Sequence, residues 1–295
     1  MSVILRPMLR SCICEAAGVA ANPEPNMAKM RCAMLTDRRA FLAAAAAAAM
    51  TLRAGGEAAA QASRARGAMQ GRHPKAVAFD GFPLIDPRPV AARVEEILPG
   101  NGERVSNAWR TRQFEYTWLR TLSGHYVDFW QTTQDALTFA ARSLGLSLSA
   151  AARDRLMHTF LELKFWPDAM PALEALHAAG IRLAFLSNFT VPMLDAAVAN
   201  SGLQGLLEPH LSTDRVRAFK PDPRAYDMAV KAFGVSREEI VFCAAAGWDV
   251  AGAKWFGYRT FWVNRSEQPP EELGEAADGT GAGLAEFTRF VLEQH

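Results

Sequence analysis

Cysteine is scarce in this chain. Four residues among 295 are too few to staple a protein of this size. Three of them, Cys12, Cys14 and Cys32, lie in an N-terminal segment read below as a leader. Only Cys243 then remains, which excludes an intramolecular disulfide in the mature chain. An excess of one charge is also missing. The formal net charge is +1, so there is no electrostatic reason to expect nucleic acid or an anionic membrane as the main partner. Neither a glycine-rich phosphate loop nor a Cys/His ligand cluster is present, and no nucleotide, flavin or metal cofactor is expected. The composition that remains, 50% hydrophobic and 21% charged, excludes intrinsic disorder and a collagen-like fibre.

A long apolar run occurs in one place. Residues 35–62 read LTDRRAFLAAAAAAAMTLRAGGEAAAQA. Arg38 and Arg39 precede an apolar stretch from Phe41 to Leu52, about the length of a signal-peptide core and too short to span a bilayer comfortably. Ala58-Ala59-Ala60 or Ala60-Gln61-Ala62 fits an A-x-A cleavage site. Paired arginines followed by an aromatic residue and leucine resemble the twin-arginine export signal. Residues 1–62 are therefore expected to be a leader, with a periplasmic mature protein free of the membrane. Cleavage there leaves roughly 230 residues, enough for one α/β core plus an insertion.

In the mature chain, short apolar runs alternate with amphipathic stretches. Lys75–Phe79, Arg182–Leu186, Ile240–Ala244 and Arg259–Val263 read as buried strands. Helices are predicted over Asp168–Ala179, Pro192–Asn200, Pro223–Phe233 and Ala251–Trp255, three of them closed by Gly180, Gly234 and Gly257. Alternation of this kind predicts an α/β fold with a doubly wound parallel sheet. Residues 87–165 differ. They hold no convincing strand and carry many large side chains, among them Trp109, Phe114, Tyr116, Trp118, Leu119, Tyr126, Phe129 and Trp130. That segment is expected to be a helical cap inserted after the first strand, with residues 63–86 and 166–295 forming the core. Most of its aromatic residues are expected to be packing.

Ligands of open parallel sheets bind beyond the carboxyl ends of the strands. Asp80 follows the first predicted strand, Ser187 and Asn188 the second, and Asp249 the third, while Lys220 precedes a predicted helix. Singly, each has an ordinary reading as a cap, a turn residue or a surface charge. Together they converge on one edge.

The segments AFDGFPLIDPRPV around Asp80, WRTRQFEYTWLRTL from Trp109, FLSN ending at Asn188, KPDPRAY from Lys220 and GWDVAGAKWFGY from Gly247 resemble the haloacid dehalogenase superfamily, and within it the L-2-haloacid dehalogenases. The resemblance spans about Val77 to Arg265. It implies a Rossmann-like core with a helical cap, no cofactor, a small halogenated carboxylic acid as substrate, and in many relatives a homodimer. Asp80 would be the nucleophile, Lys220 would keep it ionised and aimed, and Arg110 would hold the departing halide or the substrate carboxylate. Ser187 and Asn188 would bind the substrate carboxylate, with Tyr226 within the cluster. Phe82, Phe129 and Trp248 would form apolar walls, and Asp249 would orient the hydrolytic water.

The chain departs from the family pattern in three ways. The loop after Asp80 is one residue short, with Pro83 and Leu84 where a threonine is usual. Ala244 and Ala246 stand where a serine and an asparagine are usual. Export is not the family's usual fate. The alanines bear on ester hydrolysis more than on the first displacement. Two other readings stay open at this point: a non-catalytic small-carboxylate binder, and a Mg²⁺-dependent phosphatase. The second lacks an acid at Phe82 to protonate a leaving group.

Overall fold

The computed structural model describes residues 73–294, and the expected leader lies outside them. The first strand, β1 (Ala76–Phe79), has no exposed surface on any of its four residues. It is flanked on both sides by parallel partners, β2 (Arg182–Ser187) and β4 (Ile240–Ala244). Strands in that position must be apolar throughout, which is why they read as continuous hydrophobic runs. β5 (Arg259–Val263) extends the sheet beyond β4.

Two edge strands complete it: β3 (Leu211–Ser212) and β6 (Gly279–Gly281). The order is β3-β2-β1-β4-β5-β6, with every neighbouring pair parallel. The strand order reverses between β1 and β4, and that switch point is where such sheets open a crevice. The sequence reading found neither edge strand. A two-residue ladder and a Gly-Thr-Gly segment carry no apolar period to detect.

Successive residues of β1 feed opposite layers. Val77 and Phe79 join one core and Ala76 and Ala78 the other. The second core packs α8 (Pro223–Phe233) and α9 (Gly247–Phe256), through Tyr226, Ala229, Phe233, Val250 and Ala253. The first core packs α6 (Ala169–Ala178), α7 (Val191–Ser201) and α10 (Leu284–Leu292). α8 begins where Asp222 accepts a hydrogen bond from the Arg224 amide at 2.9 Å. It ends at Gly234, whose φ of 64° only glycine adopts cheaply. α9 begins at Gly247 rather than at the predicted Ala251. Its N-cap is Ala246, which offers no capping side chain, so the usual sequence signal for a helix start is missing.

Between β1 and α6 the described chain is helical. A short turn, α1 (Gly81–Leu84), leads into α2 (Arg88–Ile97), α3 (Gly102–Ser123), α4 (Phe129–Ser143) and α5 (Ala150–Glu162). α3 and α4 are joined by the Trp109 indole N–H donating to the Thr133 carbonyl at 2.8 Å, and by Gln113 donating to the Thr133 hydroxyl at 2.6 Å. Trp109, Tyr126 and Phe129 are buried as expected, but Leu119 is 58% exposed and Leu122 86%. The chain leaves the sheet layer and returns to it side by side. Ile85 bridges Phe165 in antiparallel fashion, and the Asp86 amide donates to the Lys164 carbonyl at 2.9 Å.

Candidate active site

Asp80 is the first residue beyond β1. Its amide donates to the Cys243 carbonyl at 2.9 Å, so the parallel ladder sets its place on the sheet edge. Its carboxylate caps the α1 turn, with Oδ2 accepting from the Phe82 amide at 3.2 Å. The other oxygen, Oδ1, receives the Lys220 ammonium at 2.8 Å. The same ammonium lies 2.6 Å from Asp249 Oδ2, in the first turn of α9. Lys220 and Asp249 are each 1% exposed, and the Asp80 side chain 14%. One lysine thus joins two carboxylates brought from the ends of β1 and β4.

Burial alone would pull the Lys220 ammonium down, but the charges of Asp249 and Asp80 outweigh it and hold its pKa above the ordinary lysine value. Lys220 therefore stays charged. Asp249 goes the other way. Burial raises it and Asp80 adds to that, while Lys220 and the Tyr226 hydroxyl pull it back, leaving it pushed up to about 6. A carboxylate tuned in that direction is a better proton acceptor near neutrality than an ordinary aspartate.

The expected partners fall into two groups. Asn188, at the end of β2, uses Oδ1 to accept from the Lys220 amide at 3.1 Å and from the Thr213 hydroxyl at 3.4 Å. That fixes the amide orientation and leaves its NH₂ as the donor end. Ser187 is 1% exposed, and its hydroxyl accepts from the Phe189 amide at 3.2 Å. It sits so near Gly81 that a Cβ there would lie 3.3 Å from Oγ, a tight approach that a larger residue would relieve only by displacing the hydroxyl. Tyr226 lies within the cluster. It is fully buried, and its hydroxyl donates to Asp249 Oδ1 at 2.7 Å. It supports Asp249 from behind. Tyr258 in turn bonds the Tyr226 carbonyl.

Arg110 projects from α3 into a cavity of about 200 Å³ whose walls include Phe82, Val90, Trp109, Gln113 and Phe160. Although the residue as a whole is exposed, desolvation around its guanidinium lowers the pKa, and the charge of Asp80 draws it back up. The two groups are therefore within electrostatic reach. Arg110 has no hydrogen bond or ion pair among the described residues and lies only over the Phe114 ring, at 5.8 Å. Phe82 lines the cavity, is tied to Asp80 through its amide, and meets Phe189 edge-on at 5.3 Å.

Phe129 is 1% exposed and packs on Phe189 and Phe219 rather than lining that cavity. Trp248 meets Phe114 and Trp118 of α3 at 5.2 and 5.4 Å, closing α3 onto α9. Sequence reasoning missed Phe189, the ring on which Phe82, Phe129 and Phe160 converge. It also missed Thr213 and Trp166. The one signal for Phe189 was its place directly after Asn188. Larger depressions, such as one of about 460 Å³ beside Arg142 and Arg153, share no residue with the cluster. Among the described residues no group of three or more His, Cys, Asp or Glu side chains is disposed to hold a metal ion.

Comparison with known proteins bears on this geometry. A family model described as haloacid dehalogenase-like hydrolase matches residues 34–257. The chain belongs to the haloacid dehalogenase-like hydrolases. Within the family it is similar to an (S)-2-haloacid dehalogenase of Pseudomonas sp. (strain YL), 41% identical over 205 residues, covering 69% of this chain and 88% of that protein. It is 42% identical to haloacetate dehalogenase H-2 of Moraxella sp. (strain B) over 207 residues, covering 70% and 92%. Among solved structures, the L-2-haloacid dehalogenase of Xanthobacter autotrophicus with chloropropionic acid covalently bound is 34% identical. It superposes with a TM-score of 0.69 over 74% of this chain and 98% of that one. The family's α/β sheet with flanking helices is the fold described above.

Proposed function

We propose that this protein hydrolyses short (S)-2-haloacids to (R)-2-hydroxy acids through an ester on Asp80. An Asp80 oxygen attacks C2 from the side opposite the halogen. The new C–O bond forms as the carbon–halogen bond breaks, and halide leaves with the bonding pair. Water then adds to the aspartyl carbonyl, giving a proton to Asp249; the acyl C–O bond breaks, the departing alkoxide takes that proton to become the hydroxy acid, and the second water proton is lost to solvent as the Asp80 carboxylate is restored. The configuration at C2 is inverted once.

The observation that carries this reading is the ammonium of Lys220 at 2.8 Å from Asp80 and 2.6 Å from Asp249. It pairs with the nucleophile and orients it beside a base raised to about 6. The names of the relatives support the same chemistry. An anionic substrate approaching an anionic nucleophile needs a second cation, and the unpaired guanidinium of Arg110 on the cavity wall supplies it. The donor end of Asn188, together with Ser187, serves the substrate carboxylate.

Ala244 and Ala246 favour one variation, in which the ester forms but is hydrolysed slowly. The test is halide release from L-2-chloropropionate, with mass spectrometry of the protein during a single turnover. Halide release that disappears in Asp80→Asn, with an adduct on Asp80 in the unmodified protein, supports the reading. Phosphate release from a simple ester without halide release would replace it. The twin-arginine leader before residue 63 supports a periplasmic site of action. The exposed Leu119 and Leu122 on α3 support a contact between two copies.

A further inference from the structure

The turn that carries Asp80 has little to hold it from within. Its four residues, Gly81 to Leu84, include a glycine and a proline and contribute no side-chain hydrogen bond of their own to the ionic cluster. Besides the Ile85 amide donating to the Gly81 carbonyl at 2.9 Å and the packing of Phe82 on Phe189, it is restrained by the segment through which the chain returns to the sheet. The Trp166 indole N–H donates to the Phe82 carbonyl at 3.1 Å, and the Trp166 amide donates to the Leu84 carbonyl at 2.7 Å. Two guanidinium groups lie against the same indole, Arg88 at 4.6 Å and Arg265 at 4.5 Å from its ring centre. Arg265 also reaches the Pro83 carbonyl at 3.4 Å and is anchored by Asp168 at 2.8 Å.

Phe82 is therefore gripped at both ends. Its carbonyl accepts from Trp166, and its amide donates to the Asp80 carboxylate at 3.2 Å. We infer that Trp166 is a positioning residue for the nucleophile, acting through Phe82, and that the Arg88–Trp166–Arg265 stack links the point where the helical insertion rejoins the sheet to the aim of Asp80. This rests on the proposed displacement at Asp80 and adds to it a residue that touches no substrate. An in-line attack tolerates little angular error, so loss of the indole donor must slow alkylation of Asp80 more than it weakens substrate binding.

The test is Trp166→Phe, which removes the N–H and keeps a ring for the stack. Single-turnover halide release and the appearance of the Asp80 adduct are measured on L-2-chloropropionate. Rates are normalised to the final adduct amplitude, so that misfolded protein does not count. The expected result is alkylation slowed by about tenfold with KM moved by less than about twofold, as a single hydrogen bond realised through the transition state would give. Arg265→Lys, which keeps the charge but loses the planar contact, should slow the same step by a smaller factor, about two- to fivefold. An unchanged normalised alkylation rate in both variants overturns the inference, as does a change carried entirely by KM. If Trp166→Phe does not fold, Arg265→Lys decides the question by the same two readings. Absence of halide release from the unmodified protein would instead remove the proposed function itself, so the two failures are distinguishable.

Discussion

Replacing Lys220 with methionine removes one charge and keeps most of the stem's volume. The ammonium lost lies 2.8 Å from Asp80 and 2.6 Å from Asp249. At an effective dielectric near 20, each contact has a gross Coulomb energy of about 6 kcal/mol. The desolvation of three ions and the mutual repulsion of the carboxylates offset most of that. What remains on truncating one side of a buried pair is about 3–5 kcal/mol of stability. The loss has a definite pH dependence. Without Lys220, Asp249 keeps the burial and the Asp80 charge that raise its pKa and loses the cation that lowers it, so its folded value climbs above about 6.

A carboxyl raised above its unfolded value of 3.8 makes the folded state the better proton binder. Stability of the variant therefore falls as pH rises from about 4 through that folded value, and levels off beyond it. The wild-type lysine has the same sign in a different pH window. Its raised pKa gives a contribution that is complete below its unfolded value of 10.5 and fades only as pH rises through the folded value. Guanidinium unfolding of both proteins at pH 5 and pH 8, followed by tryptophan fluorescence, measures the difference. The deficit of Lys220→Met should be clearly larger at pH 8. An equal deficit at both pH values, or one below about 1 kcal/mol at pH 8, would refute a buried three-charge cluster and leave an ordinary surface pair.

Two further outcomes follow from the same geometry. Ala246 occupies the N-cap of α9 in extended conformation with no capping side chain, so Ala246→Asn should stabilise the protein by about 1 kcal/mol in thermal or chemical unfolding. It should also shorten the lifetime of the Asp80 ester seen by mass spectrometry. Ester hydrolysis should decline as pH falls through the Asp249 value, which in the ester lies below about 6 because the Asp80 charge that helps raise it is gone, while halide release in the first turnover does not share that limb. Parallel loss of both steps would place the titrating group elsewhere.

The interior strands were legible because parallel neighbours force them to be apolar on both faces. Ile240–Ala244 and Arg259–Val263 are observed as read, and β1 differs by one residue. Asp80 and Asp249 were legible because each follows a strand that the apolar pattern locates, and Lys220 because it stands just before a helix that opens on proline. The residues that aim them were not. Trp166, Thr213 and Phe189 act across 84, 25 and several tens of residues of sequence respectively, through a carbonyl, an amide oxygen and ring edges. No local pattern announces such contacts. Tyr226 was visible as a residue, but its side of Asp249 depends on how α8 packs against α9. The α10 helix escaped notice because it starts after Gly283, with no Ser, Thr, Asp or Asn to mark it.

The antiparallel bridge between Ile85 and Phe165 has an architectural consequence. Exit and return share one doorway, so everything between is a loop in the topological sense, however many helices it holds. Its two ends meet at one point of the sheet layer, so the pairing of β1 with β2 and β4 runs on uninterrupted. Arg110 comes from that loop, whereas Asp80, Lys220 and Asp249 come from outside it, so the loop can be revised without changing any residue of the ionic cluster.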